Sequence, residues 1–244
     1  MKVSSVGSNA HQLTRFGLLN CYLVRESDSY TLIDSTIKGG GKAIIADARA
    51  IAPEPIARIL LTHAHSDHVG SVDELRAELG HVDLAITTRD ARLLSRPPDK
   101  TLESGEPQGQ VKGSFPGIRT APTHLVNDGE LFGSLRVLTT PGHTPGHASF
   151  FDERDGTLFS GDALICVGGD VHVPGFGPWY FPLPGLATWH KPMALASAQK
   201  LLDVLGTSIR RFGSGHGRVV EGGPGLLQAA IDNAKATLRN ERPL

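Results

Sequence analysis

The chain has 244 residues, 39% hydrophobic, 20% charged and 6% aromatic, and its 24 basic and 25 acidic side chains leave a formal net charge of -1. This is an ordinary globular composition on a chain long enough to bury a sizeable core. It offers no basic surface for a polyanion, no run near the roughly 20 apolar residues of a membrane-spanning helix, and in Cys21 and Cys166 too few cysteines for a disulfide scaffold, so neither a nucleic-acid nor a membrane partner is expected.

In chain order, MKVSSVGSNAHQLTRFG lacks the apolar core of a secretory signal, and a reducing, cytoplasmic setting is expected. Strand-like runs then fall at CYLVRE, SYTLID, ARILLT, VDLAITT, LRVLTT, GTLFSG and IRRFGSG. Between them SVDELRAEL reads as a helix, with Ser71 and Glu74 spaced as a capping box and Gly80 as a stop. Residues 191–206 and 224–240 are also periodic and helical. Strands interleaved with helices predict an α/β layered domain. The hairpin-like pairs in ELFGSLRVLTT and in FFDERD followed by GTLFSG predict mixed sheets. No repeat, charge block or linker marks a boundary, so one domain over 1–244 is expected. Two excursions stand out: 94–123, rich in Pro, Gly and charge and expected on the surface, and 167–190, rich in Gly, Pro and aromatics. Loops this long inside a compact domain are more often functional than not.

One regularity organises the polar residues. ARILLT is followed by His63, His65, Asp67 and His68; LRVLTT by His143; GTLFSG by Asp162; IRRFGSG by His216; and SYTLI runs into Asp34. Ligand sites in layered α/β folds lie beyond strand ends, where loops converge on a rigid edge. Packing gives no reason for the cluster at 63–68, because ionisable groups are rarely buried unless paired or metal-bound. Imidazole and carboxylate are the ligands of catalytic zinc. His63 and His65, two apart on an extended segment, point to the same side. Five histidines and two aspartates exceed one tetrahedral centre and suit two ions sharing a carboxylate, an arrangement that generates hydroxide near neutral pH.

These residues resemble the metallo-β-lactamase superfamily. Its H-x-H-x-D-H signature is matched by His63 to His68, and TPGHTPGH (Thr140 to His147), SGD (Ser160 to Asp162) and GHG (Gly215 to Gly217) follow in order, so the resemblance spans residues 20–217. It implies a four-layer αββα sandwich with two mixed sheets and the metals at one edge. It implies that His63, His65 and His143 hold one metal, that Asp67, His68 and His216 hold the other, and that Asp162 bridges them. A metal-bound hydroxide would attack an electrophilic carbonyl, with Asp67 orienting it and relaying a proton. Asp34 would brace the histidine loop from behind the ligands; a capped turn after a strand is its alternative reading.

His147 is read as a supporting residue, and His11, His81 and His124 as surface histidines. Cys166 reads as a buried small hydrophobe. Phe176, Trp179, Tyr180 and Phe181 either line a substrate mouth or cover the core. His172 and His190 flank that segment and are read first as exposed, with substrate contact as the alternative. Among the family's reactions, a secreted β-lactamase fits poorly without an export signal, although a β-lactamase-like amide hydrolase stays open. A glyoxalase II-type thioesterase fits the site, but the 28 residues after His216 leave room for one helix rather than a glutathione-binding extension. A lactonase fits both site and length. A nuclease is disfavoured by the neutral charge. A flavodiiron enzyme would carry a carboxylate in place of His65, and intact ligands argue against a non-catalytic relative. A mononuclear iron sulfur dioxygenase would use the first ligand set alone. The expectation is a dinuclear zinc hydrolase acting on a small ester, thioester or lactone, with Mn, Fe or Co also compatible with N and O ligands. The substrate is expected to be a small molecule; self-association is left open.

Overall fold

Strands with side chains alternating between two buried faces form the first sheet of the computed structural model, which describes residues 1–241. β1 (Lys2–Val6), β2 (Ala10–Arg15), β3 (Leu19–Arg25), β4 (Tyr30–Ile33), β5 (Ile56–Leu60), β6 (Asp83–Thr87) and β7 (His124–Val126) hydrogen-bond in that order. The first four are antiparallel and the last four parallel. The second sheet takes β8 (Leu131–Phe132), β9 (Leu135–Thr139), β10 (Ala148–Asp152) and β11 (Thr157–Gly161). A separate ribbon of β12 (Ile165–Val167) and β13 (Asp170–His172) follows, and β14 (Arg211–Ser214) and β15 (Val220–Glu221) complete the sheet in the order β15-β14-β11-β10-β9-β8. Only the β11–β14 pair is parallel in it.

The helices are α1 (Gly41–Ile51), α2 (Ser66–Val69), α3 (Val72–Leu79), α4 (Thr88–Ala91), α5 (Leu183–Ala187), α6 (Lys191–Leu205) and α7 (Pro224–Glu241). Strand period 2 sorts the apolar residues into three layers. Cys21, Leu23, Leu32 and Ile59 face Ile44, Ala48, Val72 and Leu75 of α1 and α3. Tyr22, Val24, Ile33 and Leu60 face the other way, onto Val137, Ala148, Phe150 and Phe159 of the second sheet. Phe151, Leu158 and Phe212 meet Ala198, Leu201, Leu227 and Ile231 of α6 and α7. The result is the four-layer αββα sandwich. α6 presents Ala194, Leu195, Ala198, Leu201 and Leu205 at helical spacing and ends at Gly206. Among the described residues, no helix is long and apolar enough to cross a membrane.

Two expectations need correction. Ser71 and Glu74 form no capping box at α3. Ser71 Oγ donates to Ile37 O (2.7 Å) and accepts from Gly40 N–H (2.8 Å), while Glu74 accepts from Gly39 and Gly41 N–H, so both brace the entry to α1. Residues 94–123 are more than a surface excursion: Val111 and Leu94 are buried, and the segment lies as a strap against the histidine loop. The N-terminal hairpin β1–β2 has no counterpart in the sequence reading, because its residues are largely polar and only β1 forms the sheet edge.

Candidate metal centre

β4 and β5 are parallel neighbours, as are β11 and β14, so the chain leaves all four toward the same edge of the sandwich. Asp34 and Asp162 follow their ends directly, His63 and His216 within three residues, and His143 follows β9. His63, His65, His68, His143, Asp162 and His216 are buried, while the Asp67 side chain keeps 28% of its surface open.

The inward-facing nitrogens of His63, His65 and His143 converge: His63 Nε2 lies 3.0 Å from His65 Nδ1, which lies 3.0 Å from His143 Nε2. Their outer partners fix where the protons sit. The Thr62 hydroxyl donates to Asp34 Oδ2 (2.8 Å), so its oxygen accepts from His63 Nδ1–H (3.0 Å). The Thr188 hydroxyl donates to Pro184 O (2.8 Å) and accepts from His143 Nδ1–H (3.0 Å). His65 Nε2–H donates to Lys112 O (3.0 Å). Burial pushes all three imidazoles down in pKa, His63 and His143 well below their ordinary value. Three lone pairs therefore face one point with no proton between them.

The second group is charged. His68 Nδ1–H donates to Asp34 Oδ2 (2.8 Å), which leaves Nε2 facing Asp162 Oδ1 at 3.6 Å and Asp67 Oδ2 at 3.8 Å. His216 Nε2 lies 3.1 Å from Asp162 Oδ2 and 3.4 Å from Asp67 Oδ2. Burial depresses His68, but Asp34, Asp162 and Asp67 outweigh it and lift the imidazole to about 9. His216 is likewise desolvated, yet Asp162 and Asp67 raise it to about 10. Burial opposes ionisation of Asp162, but His216 and His68 hold its carboxyl well below the usual range. Asp162 also reaches the first group, with Oδ2 3.5 Å from His143 Nε2.

The donor set fits metal ions. His68 Nε2 and Asp162 Oδ1 are buried without any hydrogen-bond partner, a costly state for polar atoms. Ligands about 2.0–2.1 Å from a tetrahedral ion stand roughly 3.3 Å apart, and the facing atoms here are 3.0–3.8 Å apart. Two residue groups, His63–His65–His143 and Asp67–His68–His216, can each hold an ion, and His63, His68 and Asp162 close a third such group between them. A side chain at Gly215 would enter the space between Asp162 Oδ1 and the His68 ring.

The support extends beyond the ligands. Asp34, in the left-handed region at φ 59°, accepts from Thr62 N–H (2.9 Å) as well as from the Thr62 hydroxyl and His68. His147 Nε2 accepts from Asp162 N–H (3.0 Å), a supporting part rather than a ligand's. The 94–123 strap presents Lys112 O to His65, Ser114 O to Ser66 N–H (2.9 Å) and the Phe115 ring 4.7 Å from the His65 ring. At Gly113, with φ 97°, a Cβ would collide with that ring, so the strap can approach this closely only with glycine.

The 167–190 segment divides. Phe181 packs 5.6 Å from the His216 ring, whereas Trp179 (89% exposed) and Tyr180 (55%) stack edge-on against each other outside. His190 Nδ1 accepts from Met193 N–H and caps α6 (3.1 Å). His172 and His190 are half-buried, His81 and His124 exposed, and both Cys21 and Cys166 are buried free thiols. Sequence reasoning missed Thr62, Thr188, the Lys112 carbonyl and Asp90.

Comparison with known proteins identifies the family of the chain. A model of the Metallo-beta-lactamase superfamily matches residues 14–206, and the chain belongs to that family. The Bacillus subtilis (strain 168) protein YobT is 43% identical over 228 residues, covering 92% of this chain and 95% of its own. A hydroxyacylglutathione hydrolase of Cereibacter sphaeroides is 37% identical over 113 residues, 46% of this chain but only 36% of that enzyme. Among solved structures, TTHA1623 in a di-iron-bound form superposes with a TM-score of 0.64 at 26% identity, covering 93% of this chain and 98% of that one. The protein is an enzyme of this metal-dependent hydrolase class.

Proposed function

We propose that the protein is a dinuclear metal hydrolase, with zinc as its ions, acting on a small ester, thioester or lactone in the cytoplasm. His63, His65 and His143 hold one ion, Asp67, His68 and His216 the other, and Asp162 spans the two. The observation that carries this reading is Asp162: one oxygen faces His68 across 3.6 Å, and the other stands 3.1 Å from His216 and 3.5 Å from His143. A pair of divalent ions, when bound, supplies Lewis acidity and an acidified water. Asp67 is the half-open member of the set. Burial works against its ionisation, yet His68 and His216 hold its carboxyl well below the usual range, so it orients water as an acceptor rather than storing a proton. The Phe115 and Phe181 rings wall the two sides of the site and exclude bulk water there. The similarity to a hydroxyacylglutathione hydrolase supports hydrolysis of an acylated thiol or a related ester.

Metal analysis combined with turnover on a lactone, a thioester and a phosphodiester tests the proposal. About two zinc ions per chain, with an acyl substrate preferred over the phosphodiester, is the expected result. One iron per chain with oxygen consumption on a persulfide overturns it.

The protonation states give a second expectation. In the metal-free protein His68 and His216 hold protons, at about 9 and about 10, whereas the first triad is neutral. Protons held above their ordinary pKa compete with a cation, so affinity at the second triad should climb as pH rises toward 10 and then level off. Titration calorimetry near pH 7 in buffers of different ionisation enthalpy should find about two protons released on filling that triad and close to none on filling the first. Buffer-independent heats for both ions would contradict this.

A further inference from the structure

Asp90 lies on α4, fully buried, and both its carboxylate oxygens are turned toward the segments of the site. Oδ2 accepts from Ala64 N–H (3.1 Å) and from the Thr144 hydroxyl (2.8 Å), and Oδ1 accepts from Gly146 N–H (2.7 Å). Ala64 sits between His63 and His65, Thr144 follows His143, and Gly146 precedes His147, which receives Asp162 N–H. Thr87 adds a bond from its hydroxyl to Gly146 O (2.5 Å) and accepts from Asp90 N–H. One carboxylate thus ties together two chain segments, far apart in sequence, that carry the three nitrogens converging at 3.0 Å. The same short segment points outward as well. Arg89 grips Glu106 through two bonds (2.6 and 2.9 Å), and Arg92 holds Asp99 and Glu103, anchoring the strap that supplies Lys112 O to His65.

We infer that Asp90 is the positioning residue that sets the spacing of the His63–His65–His143 triad, and that its influence stops short of Asp67, His68 and His216. The inference rests on the metal-site reading above. The Asp90 bonds fall on Ala64, Thr144 and Gly146, beside His63, His65 and His143, whereas the His68 and His216 rings themselves bond to Asp34 and Asp162. A carboxylate accepts three bonds here; an amide of the same size offers one oxygen and turns donors toward an N–H or a hydroxyl, so Asp90→Asn breaks at least one link.

The test uses the purified full chain, stripped of metal and titrated with Co2+ while visible absorption and nitrogen-15 shifts of the histidine rings are followed. Asp90→Asn is expected to weaken one of two Co2+ steps by about 10–100-fold, as partners of metal ligands commonly do. The weakened step should be the one that perturbs His63, His65 and His143, with the other unchanged. Thr144→Val removes a single bond and, should Asp90→Asn not fold, is expected to weaken the same step to a smaller degree. Two unaltered Co2+ steps, or both weakened equally, overturn the inference. A wild-type chain that fails to take up two ions overturns the metal-site reading instead.

Discussion

Alanine in place of Asp162 is expected to lower turnover by on the order of 10^3-fold and to leave fewer than two bound ions per chain. Asp162 is the carboxylate common to both groups of facing ligands. Loss of its anion also removes one of the charges that keep the buried imidazoles protonated in the metal-free protein, the largest for His216 and one beside Asp34 and Asp67 for His68. Losing the carboxylate therefore acts twice: no oxygen spans the triads, and His216 keeps Asp67 alone as an anionic partner. Asp162→Asn separates shape from charge. The amide fits the space and retains an acceptor toward one side, so it should hold the first ion and lose affinity for the second. Metal stoichiometry by mass spectrometry alongside steady-state rates decides the matter. Two ions per alanine variant with rates within tenfold of wild type would remove Asp162 from the site.

Most of this arrangement was legible because strand ends are legible. Runs such as ARILLT and GTLFSG announce buried strands by composition, and polar residues directly beyond them have few places to go but the sheet edge. The same rule applied to VDLAITT points to Asp90, three residues past β6, which a lone acid in TTRD did not bring to notice. The other supports were hidden for different reasons. Lys112 contributes a backbone carbonyl, which carries no residue signature, and Thr188 acts on His143 from 45 positions away. The Ser71 and Glu74 pattern misled because a local capping box competes with any nearby backbone donor. The turn before α1 presents Gly39, Gly40 and Gly41 N–H groups, and these take both side chains. The β1–β2 hairpin escaped because KVSSV is mostly exposed and AHQLTR buries the polar Gln12 beside Ala10 and Leu13, so neither run shows the apolar alternation that marks a strand.

Removing the Asp34 carboxylate should destabilise the metal-free chain by about 3 kcal/mol, through the unpaired Thr62 N–H and the stranded His68 Nδ1–H. Backbone conformation makes this testable at one position. At φ 59° aspartate is tolerated, alanine is strained, and glycine is relaxed. Asp34→Gly should therefore retain about 1 kcal/mol more than Asp34→Ala in urea unfolding although both lose the same contacts. Both variants should also bind each ion less tightly, by distinct routes. His68 loses its acceptor directly. His63 is affected through Thr62: with no carboxylate to donate to, that hydroxyl is free to donate to His63 Nδ1, which lets the ring carry its proton on the inward Nε2. Thr62→Val emphasises the second route and should weaken the first triad more than the second, because the hydroxyl lies 3.0 Å from His63 Nδ1 and 3.4 Å from His68 Nδ1. If glycine and alanine at position 34 unfold alike and within 1 kcal/mol of wild type, Asp34 is a turn residue and the histidine loop is held by something else.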